Sequence, residues 1–353
     1  MLTIGNRSIA PEEPPYFIAD IASNHDGDID RAFRLIELAR ECGADAAKFQ
    51  NFKAPTIVSR QGFASLGTML SHQASWKKSV YEVYEECSLE EDWSPRLKEK
   101  CDEVGLEYMT SPYDFNAVDY VGPYVNAYKI GSGDITWLEI LEYIAAKNKP
   151  VLLATGASSL ADVQRAADTI LKRNNKLVLM QCNTNYTASP ENYRYVNLNV
   201  LKTYAELYPG LILGLSDHTP GHATVLGAIA LGARVIEKHF TDNNDRSGPD
   251  HQFSMNPSTW KEMIEQSKRL FYSLGDGIKR TEANECEAAI IQRRSLFFTR
   301  DLAAGSRLTA GDLFPLRPIK ADAIPPYEIH KLLGRILKRD VARDTCITWE
   351  DVE

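Results

Sequence analysis

LILGLSDHTPGHATVLGAIALGARVIEKHF, residues 211–240, contains one complete strand–helix–strand repeat. LILGLS (211–216) is short, apolar and bounded by turn formers. The Ala- and Leu-rich stretch 221–231 has the composition of a buried helix, and RVIEKHF (234–240) returns to β-forming residues. Two strands joined through a helix are parallel neighbours. The same unit recurs upstream. YFIADIA (16–22), DAAKFQ (45–50), LEYMT (106–110), VNAYKI (125–130), PVLLAT (150–155) and KLVLMQC (176–182) read as strands, and helical patterns stand at 28–43, 90–104, 136–147, 159–173 and 197–206. Eight strands alternating with helices over roughly 250 residues predict an α/β fold, a (β/α)8 TIM barrel. An open doubly wound sheet is the alternative, but the Gly-rich turn such sheets usually carry after the first strand is missing.

The strand ends favour the barrel. They carry Asp20, Asn24 and His25; Lys48 and Gln50; Thr110 and Ser111; Lys129 and Ser132; Gln181 and Asn183; Ser216, Asp217 and His218; Glu237 and His239. One polar strand end only meets water, whereas a series of them fits a barrel, whose C-terminal rim collects the active site. Alternation sorts the last strand. Val235, Glu237 and His239 share one face, and Ile236, Lys238 and Phe240 the other. Glu237 and His239 are therefore expected to point into the lumen. Lys238 is expected to point outward and snorkel to solvent.

Composition bounds the rest. The 353 residues are 44% hydrophobic and 25% charged with a formal net charge of −8, which argues against non-specific nucleic-acid binding. Neither a secretory leader nor an apolar run of about 18 residues is visible, so a cytoplasmic protein with no membrane partner is expected. Six scattered cysteines without a CxxC pair read as reduced thiols. After Gly275 the pattern changes. TRDLAAGSRLTAGDL (299–313) aligns with KRDVARDTCITWEDV (338–352), matching Arg300 with Arg339, Asp301 with Asp340, Thr309 with Thr348 and Asp312 with Asp351. The chain is thus read as a catalytic barrel over 1–280, a linker over 281–293 and a small, mostly β, pseudo-symmetric domain over 294–353.

His218 and His239 follow the seventh and eighth strands, which adjoin in a barrel, and imidazole is the commonest protein metal ligand. A two-imidazole site keeps positions open for water or substrate, as Lewis-acid chemistry requires. His222 reads as a helix start, and His25 equally as a loop cap or a substrate contact. Lys48 and Lys129 each end an apolar strand. With the hydroxyls of Thr110, Ser132 and Ser216 they suit a clamp for phosphate or carboxylate, with a Schiff-base nucleophile as the alternative.

Taken in order, IADIASNHDGD, GADAAKFQ, TSPYD, YKIGSGD, ATGAS, GLSDHT and IEKHFTD…GPDHQFSMNP resemble the sialic acid synthase family, whose members condense phosphoenolpyruvate with an N-acyl hexosamine. RRSLFFTRDLAAG…LRP…LGRILKRDV resembles its C-terminal antifreeze-like (SAF) domain. The resemblance covers nearly the whole chain. It implies a divalent metal on His218 and His239, typically Mn2+, with Mg2+ or Co2+ as alternatives. It places Lys48, Thr110, Lys129, Ser132 and Ser216 on phosphoenolpyruvate, Gln50, Tyr186 and Asp250 on the sugar, and Asn183 among the substrate-binding residues. Arg317 would reach a neighbour's site in a domain-swapped homodimer. Asp20 and Glu237 are the candidates for proton handling or water orientation. The chain also departs from the family. Asp20 stands where Glu is usual, CNTNYT (182–187) replaces the usual Cys-Thr-Ser-x-Tyr-Pro, and SLGTMLSHQASWKKSVYE (65–82) lacks the family Asn near Ser75. LRPIKAD lacks the Gly that often follows the family's Arg-Pro. The acceptor is left as N-acetylmannosamine or a 2,4-diacetamido-2,4,6-trideoxyhexose, the latter leading to legionaminic or pseudaminic acid. A Schiff-base aldolase, a metal-dependent hydrolase and a non-catalytic carbohydrate-binding protein are the competing classes.

Overall fold

The computed structural model describes residues 2–68, 73–74, 76–90 and 92–353; Ser75 lies outside the described residues. A short antiparallel hairpin, β1 (Leu2–Ile4) and β2 (Arg7–Ile9), precedes eight barrel strands: β3 (Tyr16–Asp20), β4 (Ala46–Asn51), β5 (Glu107–Pro112), β6 (Tyr128–Ile130), β7 (Val151–Ala154), β8 (Leu177–Cys182), β9 (Ile212–Asp217) and β10 (Ala233–His239). Each pairs in parallel with the next, and β10 closes on β3. The barrel expected from the repeat at 211–240 is the barrel found. The hairpin was not expected, because three-residue strands are too short to show alternation.

Strand parity divides the core in two. Phe17, Ala47, Phe49, Tyr108, Tyr128, Leu153, Leu179, Leu215 and Ile236 pack outward against the helices. Tyr16, Ile18, Ala46, Met109, Leu152, Val178, Met180 and Val235 fill the lumen together with Leu2, Ile4 and Ile9 of the hairpin. The early part of each strand therefore holds an apolar plug. Only the last lumen-facing residue or two of a strand can be polar without disrupting it.

The helices begin where their sequences cap them. Asp28 accepts from the backbone N–H groups of Asp30 and Arg31 at the start of Ile29–Glu41, and Ser159 forms a capping box with Asp162 before Leu160–Leu171. The expected helices are found as Trp93–Val104, Leu138–Ala145, Leu160–Leu171, Val200–Leu207 and Ala223–Ala230, with His222 at the start of the last. No helix among the described residues is long and apolar enough to cross a membrane.

Two compact units divide the chain, one ending at Gly275 and one spanning Asp276–Glu353. The second is built on the antiparallel pair β11 (Ser295–Phe298) and β12 (Leu313–Leu316), over a core that includes Leu296, Phe298, Leu308, Leu337 and Ile347. Its two repeats make matching contacts. Arg300 pairs with Asp312 at 2.8 Å and Arg339 with Asp351 at 2.5 Å, while Leu302 bridges Val341. Each acid also accepts from the N–H of its own repeat's threonine, Thr309 or Thr348.

Candidate active site

Polar residues crowd the lumen at the C-terminal ends of the strands. Asp20 on β3 and Lys48 on β4 stand in register and pair at 2.7 Å, both almost fully buried. Across the barrel Lys129 on β6 lies 3.2 Å from Glu237 on β10, and Ser216 on β9 donates to the same Glu237 Oε1 at 3.1 Å. The second carboxylate oxygen, Oε2, is buried with no partner. Two lysines and two acids thus form a balanced floor. Burial opposes charge on Glu237, but Lys129 and Lys48 outweigh it and bring the carboxyl down to about 2. Burial pushes Asp20 above the ordinary carboxylate range, against the pull of Lys48. Burial also lowers Lys48, yet Asp20 and Glu237 outweigh it and hold the ammonium above its ordinary value.

One layer further along the strands stand the imidazoles. The rings of His218 and His239 lie 5.4 Å apart, and Tyr186 and Phe253 complete an aromatic box, at 4.3 Å from His218 and 4.8 Å from His239 respectively. His218 Nδ1 donates to the Asn183 carbonyl at 3.1 Å, since a carbonyl can only accept, so in the neutral ring the lone pair is on Nε2. His239 Nδ1 is buried and has no hydrogen-bond partner, and burial pushes its pKa down to about 3, so the ring is neutral. Its Nε2 lies 3.5 Å from Asp20, and its Nδ1 3.9 Å from Asp250, whose carboxylate is held by the Ser23 N–H at 3.2 Å. Two neutral-capable imidazoles with available nitrogens, flanked by carboxylates, fit a divalent cation. Among the described residues no set of three or more His, Cys, Asp or Glu converges as a cage. An ion held by the pair would keep open positions.

Ser132 Oγ accepts from the Gly156 N–H at 2.9 Å. Gly156 has no room for a side chain, since a Cβ there would lie 1.9 Å from Thr184 Oγ1, 2.9 Å from Ser132 Oγ and 3.0 Å from Cys182 Sγ. Gln50, the last residue but one of β4, is half-buried on the same face as Lys48.

Three expectations are revised. Thr110 does not face the lumen. It shares the outward face of Tyr108, and its hydroxyl donates to Asn51 Oδ1 at 2.6 Å, while Asn51 in turn donates to Ser94. Met109 and Ser111 take the lumen face, so Ser111 is the hydroxyl that β5 offers the site. Lys238 points outward as expected but never reaches solvent. It is buried and bonds Asp217 Oδ2 and the Thr219 carbonyl, each at 2.5 Å. Asn183 contributes its carbonyl to His218, while its side chain donates to the Tyr195 carbonyl at 3.3 Å. His25 accepts from the Gly27 N–H and packs edge-on against Trp93, which makes it a loop-closing residue. Arg317 lies exposed in the second unit, just after β12.

Sequence reasoning missed Phe253 and Cys182 as site residues. Phe253 sits within the GPDHQFSMNP motif, which was its only signal. Cys182 Sγ lies 4.0 Å from His218 Nδ1; burial opposes charge on His218, but Cys182, the Asn183 carbonyl and Asp217 together outweigh it and raise the pKa above its ordinary value.

Comparison with known proteins gives the family and the fold's relatives. The NeuB family model matches residues 35–279, and the SAF domain model matches residues 293–353. The chain is 35% identical to the N,N'-diacetyllegionaminic acid synthase of Legionella pneumophila, over 96% of this chain and 94% of that one. It is 30% identical to the N-acetylneuraminate-9-phosphate synthase of Mus musculus, over 98% and 95%. A crystal structure of N-acetylneuraminic acid (sialic acid) synthetase from Leptospira borgpetersenii superposes with a TM-score of 0.71 at 27% identity, covering 81% of this chain and 94% of that one.

Proposed function

The chain belongs to the NeuB family, and from that membership we propose that it joins phosphoenolpyruvate to the aldehyde of an open-chain N-acyl hexosamine, forming a nine-carbon 2-keto-3-deoxy sugar acid and phosphate. The observation that carries the reading is the stacking in one lumen of an acid-balanced lysine pair, Lys48 and Lys129, beneath two available imidazoles, His218 and His239. The lysines, with Ser111, Ser132 and Ser216, bind the phosphate and carboxylate of phosphoenolpyruvate, for which the acidic protein otherwise has no attraction. Gln50, Tyr186 and Asp250 line the acceptor side.

The enol carbon of phosphoenolpyruvate forms the new C–C bond to the aldehyde carbon, and the aldehyde oxygen takes up, as a hydroxyl, a proton equivalent to the one the added water loses. Water adds at the phosphate-bearing carbon, and phosphate leaves by C–O cleavage, so one water is consumed for each phosphate released. Glu237 Oε2, buried and unpartnered, accepts a hydrogen bond from that water and orients it. Asp20, beside both Lys48 and His239, is the second acid within reach of the reacting groups. A divalent cation on His218 and His239, with Mn2+ expected and Mg2+ or Co2+ as alternatives, would polarise the aldehyde oxygen. Arg317 would complete the site of a second copy in a domain-swapped homodimer. A cytoplasmic setting, where phosphoenolpyruvate is available, completes the reading.

The acceptor is N-acetylmannosamine or a 2,4-diacetamido-2,4,6-trideoxyhexose. Incubating the purified protein with phosphoenolpyruvate, Mn2+ and a panel of N-acyl hexosamines, with phosphate release and product mass as readouts, tests both the reaction and the acceptor. A chelator should abolish turnover and leave the far-UV circular dichroism unchanged. No keto-deoxy acid from any aldose in the panel would refute the proposal.

A further inference from the structure

Lys238 is among the largest fully buried side chains of the protein, and the reaction proposed above does not use it. It sits behind the site, on the outer face of β10, between Glu237 and His239, which both face the lumen. On β9 its register partner is Asp217. Its ammonium bonds Asp217 Oδ2 and the Thr219 carbonyl, the residues immediately before and after His218. Asp217 also accepts from the Thr219 N–H at 3.1 Å, from the Thr219 hydroxyl and, at 2.6 Å, from the Thr224 hydroxyl that opens the next helix. The segment that carries His218 is thereby tied on both sides to one side chain, and that side chain's own strand carries His239.

A lone buried ammonium is costly, and a fully apolar contact here would serve stability equally well. A Lys–Asp pair differs from an apolar contact in directionality. Its hydrogen bonds fix where the chain turns after β9. We propose that Lys238 is a positioning residue that sets the spacing and orientation of the His218–His239 pair from the dry side of the barrel wall. The inference rests on the reading of that pair as a cation site. Outer groups that orient ligating imidazoles change metal affinity by about 10- to 100-fold when removed.

The test uses Co2+ as the probe in the full-length protein, with the visible absorption bands and the Kd as readouts. Lys238→Met alone leaves Asp217 buried without its cation and is expected to lower the Tm. The Lys238→Met/Asp217→Asn double variant removes both charges and keeps an acceptor for Thr219 and Thr224, so it is the variant on which the inference is judged. A folded double variant that binds Co2+ about tenfold or more weakly, with altered band intensities, is the expected result. A folded double variant with the wild-type Kd and spectrum overturns the role of Lys238. If the wild type binds no Co2+, or a His218→Ala/His239→Ala variant binds it undiminished, the reading of the imidazole pair falls and the inference falls with it.

Discussion

Replacing Glu237 with Gln tests the charge balance of the lumen floor, because the side chain keeps its shape and its acceptor for Ser216 but leaves Lys129 without its counter-ion. At 3.2 Å and an effective dielectric of about 20 the pair is worth roughly 5 kcal/mol of Coulomb energy. Breaking one side of a buried pair costs about 3–5 kcal/mol. The pKa of about 2, against an ordinary 4.5, agrees in scale: a depression of that size is worth about 3 kcal/mol. At about 2–4 °C per kcal/mol for a unit of this size, the Tm should fall by roughly 6–12 °C at pH 7. The depressed pKa sets the pH window. The stabilisation is fully present above about pH 4.5 and is lost as pH falls through about 2. The gap between wild type and variant should therefore be flat above about pH 5 and shrink to about 1.4 kcal/mol near pH 3. Phosphate or phosphoenolpyruvate at one saturating concentration should narrow the gap at pH 7, because the uncompensated Lys129 binds the anion more tightly, and a roughly tenfold lower Kd in the variant is worth about 1.4 kcal/mol. Scanning calorimetry across pH, with and without ligand, measures all three effects. A fall of less than about 2 °C at pH 7, or a gap unchanged between pH 7 and pH 3, would refute the assignment of Glu237 as the counter-ion of Lys129.

Other substitutions separate the faces of the barrel wall. Thr110→Val should leave the KM for phosphoenolpyruvate within about twofold of wild type and cost about 1–3 kcal/mol of stability, because Asn51 Oδ1 loses its donor. Ser111→Ala should do the reverse, raising that KM about tenfold or more, as expected for one hydrogen bond to a charged ligand, with little change in Tm. Steady-state kinetics and calorimetry on the two variants decide the matter, and equal KM effects would mean that the parity assignment is wrong. Gly156→Ala drives a methyl group into Thr184, Ser132 and Cys182 and should weaken phosphoenolpyruvate binding about tenfold at an overpacking cost of about 1–3 kcal/mol. Unchanged binding by titration calorimetry would remove Ser132 from the phosphate-binding set.

The barrel was legible because its signal is repeated. Each strand–helix unit such as 211–240 is ambiguous alone, but eight in series leave few alternatives, and the strand bounds found fall within three residues of those read from the sequence. The hairpin of β1 and β2 was not legible, for the opposite reason. Leu2, Ile4 and Ile9 gain their place only by plugging the lumen against Ile18, Ala46 and Val178, contacts that no local pattern announces. The repeat at 299–313 and 338–352 was legible as similarity. Its physical content, an Arg–Asp pair and a Thr cap in each copy, needed the structure.

In the site, parity decided what could be read, and it succeeds only when it is anchored. On β10 the anchor was an apolar run, Val235–Ile236, long enough to show that Glu237 and His239 go together and that Lys238 goes the other way. On β5 the same rule, anchored on Tyr108 and Met109, selects Ser111 over Thr110; without the anchor, adjacent hydroxyls in TSP are indistinguishable. Face alone still does not determine destination. Lys238 was assigned to the outer face correctly and then sent to solvent, because an outward lysine at a strand end usually snorkels. What holds it inside is Asp217, an acid at the register-matched position of the neighbouring parallel strand and on that strand's own outer face. In a closed parallel barrel an outward cation and an outward anion on adjacent strands at matched register meet beneath the helices, where neither can reach water. The pair SDH and EKH therefore encodes two contacts at once, imidazole beside imidazole inside the wall and ammonium beside carboxylate outside it, and the second is what gives the first a fixed geometry.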